Sequence, residues 1–240
     1  AVTAKLVVEE GPLYRVANKV ISISEGGEEA AEVSVDADAI YSRSWVDDQI
    51  RALRNESYNL GYPDTRISNR ISDSQSKPGE VLVTIRFDVD RGQKVFLTDV
   101  EHRGATNTHL PLLERKAKLE VGEPLDISEV EAARRRLSRL GIFRRIDLEY
   151  ESTGDNGREA IFNYEPGERL EWQLLVGYGS YESVRAGIIG KRSNLFGRAH
   201  TLSFEAVQSV KSTQGKLDYT MPELLGESID LRAEANLLDR

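Results

Sequence analysis

The chain of 240 residues contains no cysteine. That excludes disulfide scaffolds, thiolate zinc sites and cysteine nucleophiles, while leaving the compartment open. Nowhere do 18 apolar residues run together, so no transmembrane helix is written into the chain, and no signal peptide opens it. Membrane strands stay open, because each needs only about 9–11 alternating residues. Positive charge is also short: 32 Lys and Arg stand against 40 Asp and Glu, a net charge of −8. That balance argues against a nucleic-acid partner, whose footprint on a protein is a basic stripe. The only three histidines, His102, His109 and His200, fall in or near three different elements, so neither a metal site nor any cofactor is expected. Gly187-Ile188-Ile189-Gly190-Lys191 has the outline of a phosphate loop, but Arg192 stands where Ser or Thr is required and residue 185 is Arg. It reads better as a strand with small residues. No G-x-S-x-G elbow occurs, and Asp47-Asp48 are neighbours on a helix whose carboxylates do not face each other. Nothing here supports catalysis. What remains is a chain that is 39% hydrophobic and long enough for two or three domains.

Repetition is the first positive signal. Leu6–Gly11, Phe87–Gly92 and Phe162–Gly167 each end a strand-like run on a charged or polar segment and a glycine. Between them Leu60-Gly61-Tyr62 is echoed by Leu140-Gly141-Ile142. The period of about 75–80 residues is too long for common solenoids and suits a small α+β unit. In the second copy the order reads strand, helix, helix, strand, strand. Val95–Val100 is β-branched and aromatic; Thr106–Leu119 carries Leu110, Leu113 and Ala117 at helical spacing, with Pro111 early. Asp126 and Glu129 have capping-box spacing before the stripe Val130, Ala133, Leu137 and Leu140, which ends at Gly141. Phe143–Ser152 and Glu159–Tyr164 then form a hairpin across Asp155-Asn156-Gly157. Arg134-Arg135-Arg136 and Arg139 make a basic helix face, either solvated or open to a partner or lipid headgroup. The first copy matches in its second half: Ser44 caps a helix with Val46, Ile50, Leu53 and Leu60, and Thr65–Ser72 pairs with Glu80–Val89 across Ser74–Gly79. Its first half, Glu25–Asp38, is acidic and Gly-rich, and a first helix there has no clean stripe.

After Gly167 the helical period vanishes. Leu170, Trp172, Leu174, Val176 and Tyr178 alternate with more polar positions, as do Val184, Ala186 and Ile188, then Leu202, Phe204 and Ala206, then Leu217, Tyr219 and Met221, then Ile229, Leu231, Ala233, Ala235 and Leu237. Five such runs predict an antiparallel meander, either half of a soluble sandwich or the start of a membrane barrel. Leu195-Phe196 and Leu224-Leu225 are apolar pairs inside turns, bounded by Asn194 and Gly197 and by Pro222 and Gly226. Soluble hairpin turns are usually polar, and aromatics gather towards the strand ends (Trp172, Tyr178, Tyr181, Tyr219) as an interfacial girdle requires. Residues 169–240 carry 9 basic and 9 acidic side chains, so the net −8 lies entirely in residues 1–168.

The two strand-helix-helix-strand-strand units closing on a glycine resemble POTRA domains. The last segment resembles the opening strands of the BamA/TamA-type outer-membrane assembly superfamily, most specifically in Arg192–Arg198 and Tyr219–Gly226, with Gly177-Tyr178-Gly179 similar to that family's first barrel strand. The fold class implied is α+β POTRA repeats followed by an all-β antiparallel meander. Its domains are 1–11, the last strand of an earlier unit; 12–91 and 92–167, two units; and 168–240, about five strands of an incomplete barrel. An open sheet cannot sit in lipid with unsatisfied edges, so the chain is expected to be a fragment of a longer one. The resemblance implies an outer-membrane barrel with POTRA units in the periplasm, acting on outer-membrane protein clients with accessory assembly subunits and outer-membrane lipid around it. By resemblance the free POTRA edge is the strand after the second helix, which places Thr65, Ile67, Arg145 and Asp147 on it. The barrel seam strand would hold Trp172, Gln173, Leu174, Val176, Gly177 and Gly179. The first two periplasmic turns would hold Asn194, Leu195, Phe196 and Gly197, then Pro222 and Gly226. A factor specialised for autotransporter-type clients, a two-partner secretion pore and a soluble periplasmic scaffold remain alternatives.

Overall fold

The computed structural model describes residues 11–28, 31–180, 183–222 and 229–239. Two compact units divide the chain: the first runs to Phe96 and takes in Glu123–Ser128, and the second holds the rest. The strand expected at Leu6–Gly11 lies outside the described residues apart from Gly11.

In the first unit β1 (Leu13–Ser24), β2 (Ala31–Ile40), α1 (Arg43–Asn59), β3 (Arg66–Lys77) and β4 (Glu80–Asp90) build a four-stranded sheet in the order β2-β1-β4-β3. β1 runs parallel to β4, and the two outer pairings are antiparallel. The period of two is plain in β4, where Val83, Ile85, Phe87 and Val89 are buried on one face. Val83, Ile85 and Phe87 form the core with Val16 and Val46, against which Trp45, Ile50 and Leu53 pack. Each fully buried side chain of this kind contributes about 1.5–3 kcal/mol.

Three expectations for this unit need correction. No first helix occurs among the described residues: Ala31–Ile40 is a strand, so the unit runs strand, strand, helix, strand, strand. Ala31, Val33, Val35, Ala37 and Ala39 alternate with Glu32, Ser34, Asp36 and Asp38, and pairing with β1 turns that alternation into an edge strand. Basic side chains from the sheet answer its acidic positions: Arg15 pairs with Asp38 at 2.6 Å and Arg86 with Glu32. The helix cap is Ser42, not Ser44; its Oγ accepts from Trp45 N at 3.1 Å. The expected loop Ser74–Gly79 shrinks to Pro78-Gly79, because the polar stretch 72–77 gains ladder bonds along β4. Gly61, expected to end the helix, does follow it, at φ +89°, where a Cβ would lie 2.6 Å from Pro124 Cβ.

One polar cluster has no local sign in the sequence. Arg91 is 8% exposed and binds Glu25 at 2.6 Å, Glu56 at 3.1 Å and Ser57 Oγ at 3.4 Å, with its guanidinium 5.5 Å from the Tyr62 ring centroid. Tyr62 Oη donates to Glu25 at 3.0 Å. The hydrogen bond from Arg91, and secondarily that from Tyr62, holds the Glu25 carboxyl below the usual carboxylate range. A carboxylate lowered in the folded state contributes stability above its ordinary pKa and loses it as pH falls through the lowered value. Glu25→Gln is therefore expected to be less stable than the parent at neutral pH, and urea melts at successively lower pH should show the gap closing. A gap that is constant with pH would show that the charge of Glu25 adds nothing.

The second unit begins with β5 (Phe96–Arg103), α2 (Leu110–Ala117), α3 (Ile127–Ser138), β6 (Phe143–Ser152) and β7 (Gly157–Pro166), with sheet order β5-β7-β6. α2 is shorter than the expected Thr106–Leu119 and buries Leu112, Leu113 and Ala117, while Leu110 is exposed. Asp126 caps α3 by accepting from Ser128 N at 2.7 Å, and Glu129 pairs with Arg136 at 2.7 Å. Arg134 pairs with Glu131, so the basic helix face is partly neutralised by its own turns. Val130, Ala133 and Leu137 are buried, as are Ile146, Ile161 and Phe162 of the hairpin, whereas Leu148 is only half-buried. His102 stacks on Phe162 and Tyr164, and its Nδ1 lies 2.7 Å from Tyr164 Oη. Burial lowers the His102 pKa and raises that of Tyr164, so the pair is neutral at neutral pH. Leu137 is fully buried. Leu137→Asp would put an unpaired carboxylate there at a cost of several kcal/mol. Hydrogen exchange should report loss of protection throughout 97–166, and an unchanged pattern would contradict this packing.

Five antiparallel strands complete the unit: β8 (Leu170–Gly179), β9 (Ser183–Leu195), β10 (His200–Ser209), β11 (Thr213–Met221) and β12 (Leu231–Asp239), in the order β12-β11-β10-β9-β8. The fifth run begins at Leu231 rather than Ile229, and Tyr181 lies outside the described residues.

Candidate functional site

The register of the five-stranded sheet sorts its side chains into two faces. Trp172 of β8 pairs with Gly190, Gly190 with Phe204, Phe204 with Leu217, and Leu217 with Ala235. Rows above and below repeat the pattern: Leu174, Ile188, Ala206, Gly215 and Leu237 form one, and Leu170, Arg192, Leu202, Tyr219 and Ala233 another. This apolar face is open. Leu174 is 82% exposed and Val176 84%, and Leu170, Trp172, Tyr178, Val184, Leu217 and Leu237 are exposed too. The strands are 9 to 13 residues long, close to the roughly 9–11 a tilted transmembrane strand requires. Among the described residues no second sheet covers them. The opposite face carries ion pairs across the strands: Glu171 with Lys191 at 3.4 Å, Lys216 with Glu234 at 3.2 Å and Arg232 with Asp218 at 2.5 Å. An aqueous lumen would tolerate such a ladder, and lipid would not.

Glycine is needed in this face at one position above all. A Cβ at residue 190 would lie 2.4 Å from Phe204 Cε1 and 3.0 Å from Trp172 Cζ3. The two rings meet over Gly190 edge to face, with centroids 5.5 Å apart. Thus Gly187–Lys191, the phosphate-loop outline, is strand and serves ring packing.

β8 pairs only with β9 among the described strands, so its other edge is free of partners there. Gln173, Gly177 and Gly179 stand on the polar side of β8, and Trp172, Leu174 and Val176 on the apolar side. At Gly177 the Arg185 side chain fills the glycine's space, 3.1 Å from the ideal Cβ; at Gly179 nothing lies within 4 Å. The other proposed edges are β3 and β6, each paired on one side. Ile67 lies on β3, and Arg145 and Asp147 on β6 bind each other at 2.8 Å. Thr65 departs from the expectation: it is buried just before β3, and its Oγ1 donates to Tyr62 O at 2.8 Å, so it anchors the entry to the strand and lies outside the ladder.

The β9–β10 connection is the best-defined polar site. Asn194 and Leu195 are the last residues of β9, and the chain turns over 196–199 with positive φ at Phe196, Gly197 and Ala199. Asn194 itself has φ +54° and holds the turn with its whole amide. Its Oδ1 accepts from Ala199 N at 3.0 Å; its Nδ2 donates to Asn107 O at 3.1 Å and to Thr108 Oγ1 at 3.0 Å. His109 N donates to Gly197 O at 2.9 Å, and a Cβ on Gly197 would meet Asn107 O at 2.9 Å. The turn thereby clasps the segment between β5 and α2. The sequence offers no local sign of Asn107 or Thr108 as partners, since they lie 87 and 86 residues away. Pro222 follows β11 directly, and Gly226, with Leu224 and Leu225, lies outside the described residues. His200 begins β10, buried, with Nδ1 2.6 Å from Tyr219 Oη. No cluster of potential metal ligands occurs among the described residues. Asn194→Ala would strand donors and acceptors on both sides of the clasp, at about 1–3 kcal/mol. Exchange of the Ala199 and His109 amides should accelerate while the strand centres stay protected, and unchanged amides would show that the clasp carries no stability.

No family model matches the chain. It is 18% identical over 203 residues to the outer membrane protein assembly factor BamA of Buchnera aphidicola subsp. Acyrthosiphon pisum (strain APS), covering 84% of this chain and 32% of that protein. In structure it is similar to BamA from Haemophilus ducreyi lacking POTRA domains 1–3, with a TM-score of 0.68 at 19% identity, over 85% of this chain and 38% of that one. A looser match, with a TM-score of 0.49 at 15% identity, is CdiB from Acinetobacter baumannii, over 96% of this chain and 45% of that one. The chain thus spans about a third of the length of the curated relative.

Proposed function

Likeness in sequence and fold supports the BamA/TamA-type outer-membrane assembly superfamily for this chain, and from that premise we propose that it takes part in assembling or translocating outer-membrane proteins. The observation that carries the reading is the open apolar face of β8–β12, joined directly to an α/β unit and backed by a polar, ion-paired face. In water such a face costs free energy and gathers partners; in a bilayer it is the favoured surface. The sheet is then part of a barrel wall in the outer membrane, and the α/β units stand in the periplasm. No covalent chemistry is involved. Clients are bound by strand pairing: the one-sided strands β3 and β6 offer backbone donors and acceptors to an extended segment without reading its side chains closely. On β6, Arg145 and Asp147 flank that edge, and Ile67 does so on β3.

The seam lies along β8. Inside lipid its unpaired backbone groups are strongly driven to find partners, and a client strand can supply them. Gly177 and Gly179 leave the far end of β8 few side chains to pack, so that end is the easier to part. The test is a lock. Gln173→Cys, set opposite a cysteine in the last barrel strand of the full-length protein, should stop client assembly when oxidised and restore it with reductant; this stretch brings no cysteine of its own. Full activity in the oxidised form would rule out seam opening.

A further inference from the structure

The cleft beside the β9–β10 turn has no part in strand pairing. It encloses about 720 Å³ and is lined by two arginines, Arg169 and Arg192, by the hydroxyls of Thr106, Thr108 and Ser193, and by no carboxylate. Glu168, the acid next in sequence to Arg169, borders a much smaller adjoining cavity that shares Arg169 and Asn194 with the cleft. Arg169 directly precedes β8, where its carbonyl accepts from Ser193 N at 2.9 Å, and Arg192 on β9 pairs in register with Leu170. Arg169 Nη2 touches Asn107 O at 3.4 Å, and neither guanidinium has a carboxylate partner among the described residues. Two apolar side chains of the same cleft, Leu170 and Phe196, are 54% and 75% exposed. Arg192 stands in the row of the apolar face nearest the α/β unit, where the wall would leave hydrocarbon for headgroups.

We propose that this cleft binds a phospholipid of the periplasmic leaflet, with its phosphate between Arg169 and Arg192 and its acyl chains along Leu170 and Trp172. The inference rests on reading the sheet as a membrane wall. A planar guanidinium donates two parallel bonds to phosphate oxygens, and a long arginine stem lies along apolar surface while its head reaches the polar layer. A free anion would use the two arginines and leave Leu170 and Phe196 in water; a phospholipid satisfies both at once. The bound lipid would sit against the clasp of Asn194 and Asn107, tying the turn's position to the leaflet.

Native mass spectrometry of the full-length protein in detergent, after extraction from vesicles of phosphatidylethanolamine and phosphatidylglycerol, counts retained phospholipid. Arg169→Gln with Arg192→Gln should lower retention about tenfold or more. Both side chains are exposed, so folding is not at stake. In parallel, quenching of Trp172 by brominated acyl chains, with other tryptophans replaced by phenylalanine, reports the membrane wall separately. Quenching intact in both proteins and retention unchanged by the double substitution overturn the phosphate site alone. Displacement of the lipid by millimolar inorganic phosphate reveals a free-anion site and overturns the lipid assignment. Absence of Trp172 quenching in the parent sinks the wall, and the inference with it.

Discussion

A β-sheet must satisfy two demands at once: its edges need hydrogen-bond partners, and its apolar face needs an apolar surrounding. In the five-stranded sheet β8–β12 neither demand is met by the described chain. The face that pairs Trp172 with Phe204 across Gly190 is open, and β8 and β12 each lack a partner on one side. On the proposed reading, the remaining strands of a barrel would meet the first need and a bilayer the second. The ion-paired opposite face fits the same solution, because it requires water.

The α/β units solve the same problem on a smaller scale. Each buries one sheet face under helices: α1 over Val83, Ile85 and Phe87 in the first, the stripe of Val130, Ala133 and Leu137 in the second. Each still leaves outer strands paired on one side only. In the first unit β2 covers the free side of β1, so the outer strands there are β2 and β3; in the second they are β5 and β6. The extra strand changes which backbone a partner could meet and surrounds it with acidic side chains, Glu32, Asp36 and Asp38.

At the β9–β10 connection, the Asn194 turn holds the segment between β5 and α2. One amide side chain satisfies its own turn with the oxygen and the neighbouring segment with the nitrogen. Three non-glycine residues of positive φ in that stretch, Asn194, Phe196 and Ala199, hold a shape that the clasp makes worthwhile.

Much of this was legible in the sequence where a local period fixes which side of an element is buried. The alternation from Leu170 onward, the stripe on α3 and the glycine after each long helix, Gly61 and Gly141, are short-range signals, and each corresponds to an observed element or turn. The same logic was present at Ala31–Ile40, but a strand there gains its ladder only by pairing with β1, so composition pointed elsewhere. Tertiary structure alone decided the Arg91 cluster, which gathers Glu56 from α1 and Glu25 and Tyr62 from two connections, and the meeting of Asn107 with Asn194. The reason is physical. A periodic pattern states what a residue's own element must hide, whereas a buried cation or a bridging amide takes its partners from wherever the chain's long-range pairings deliver them.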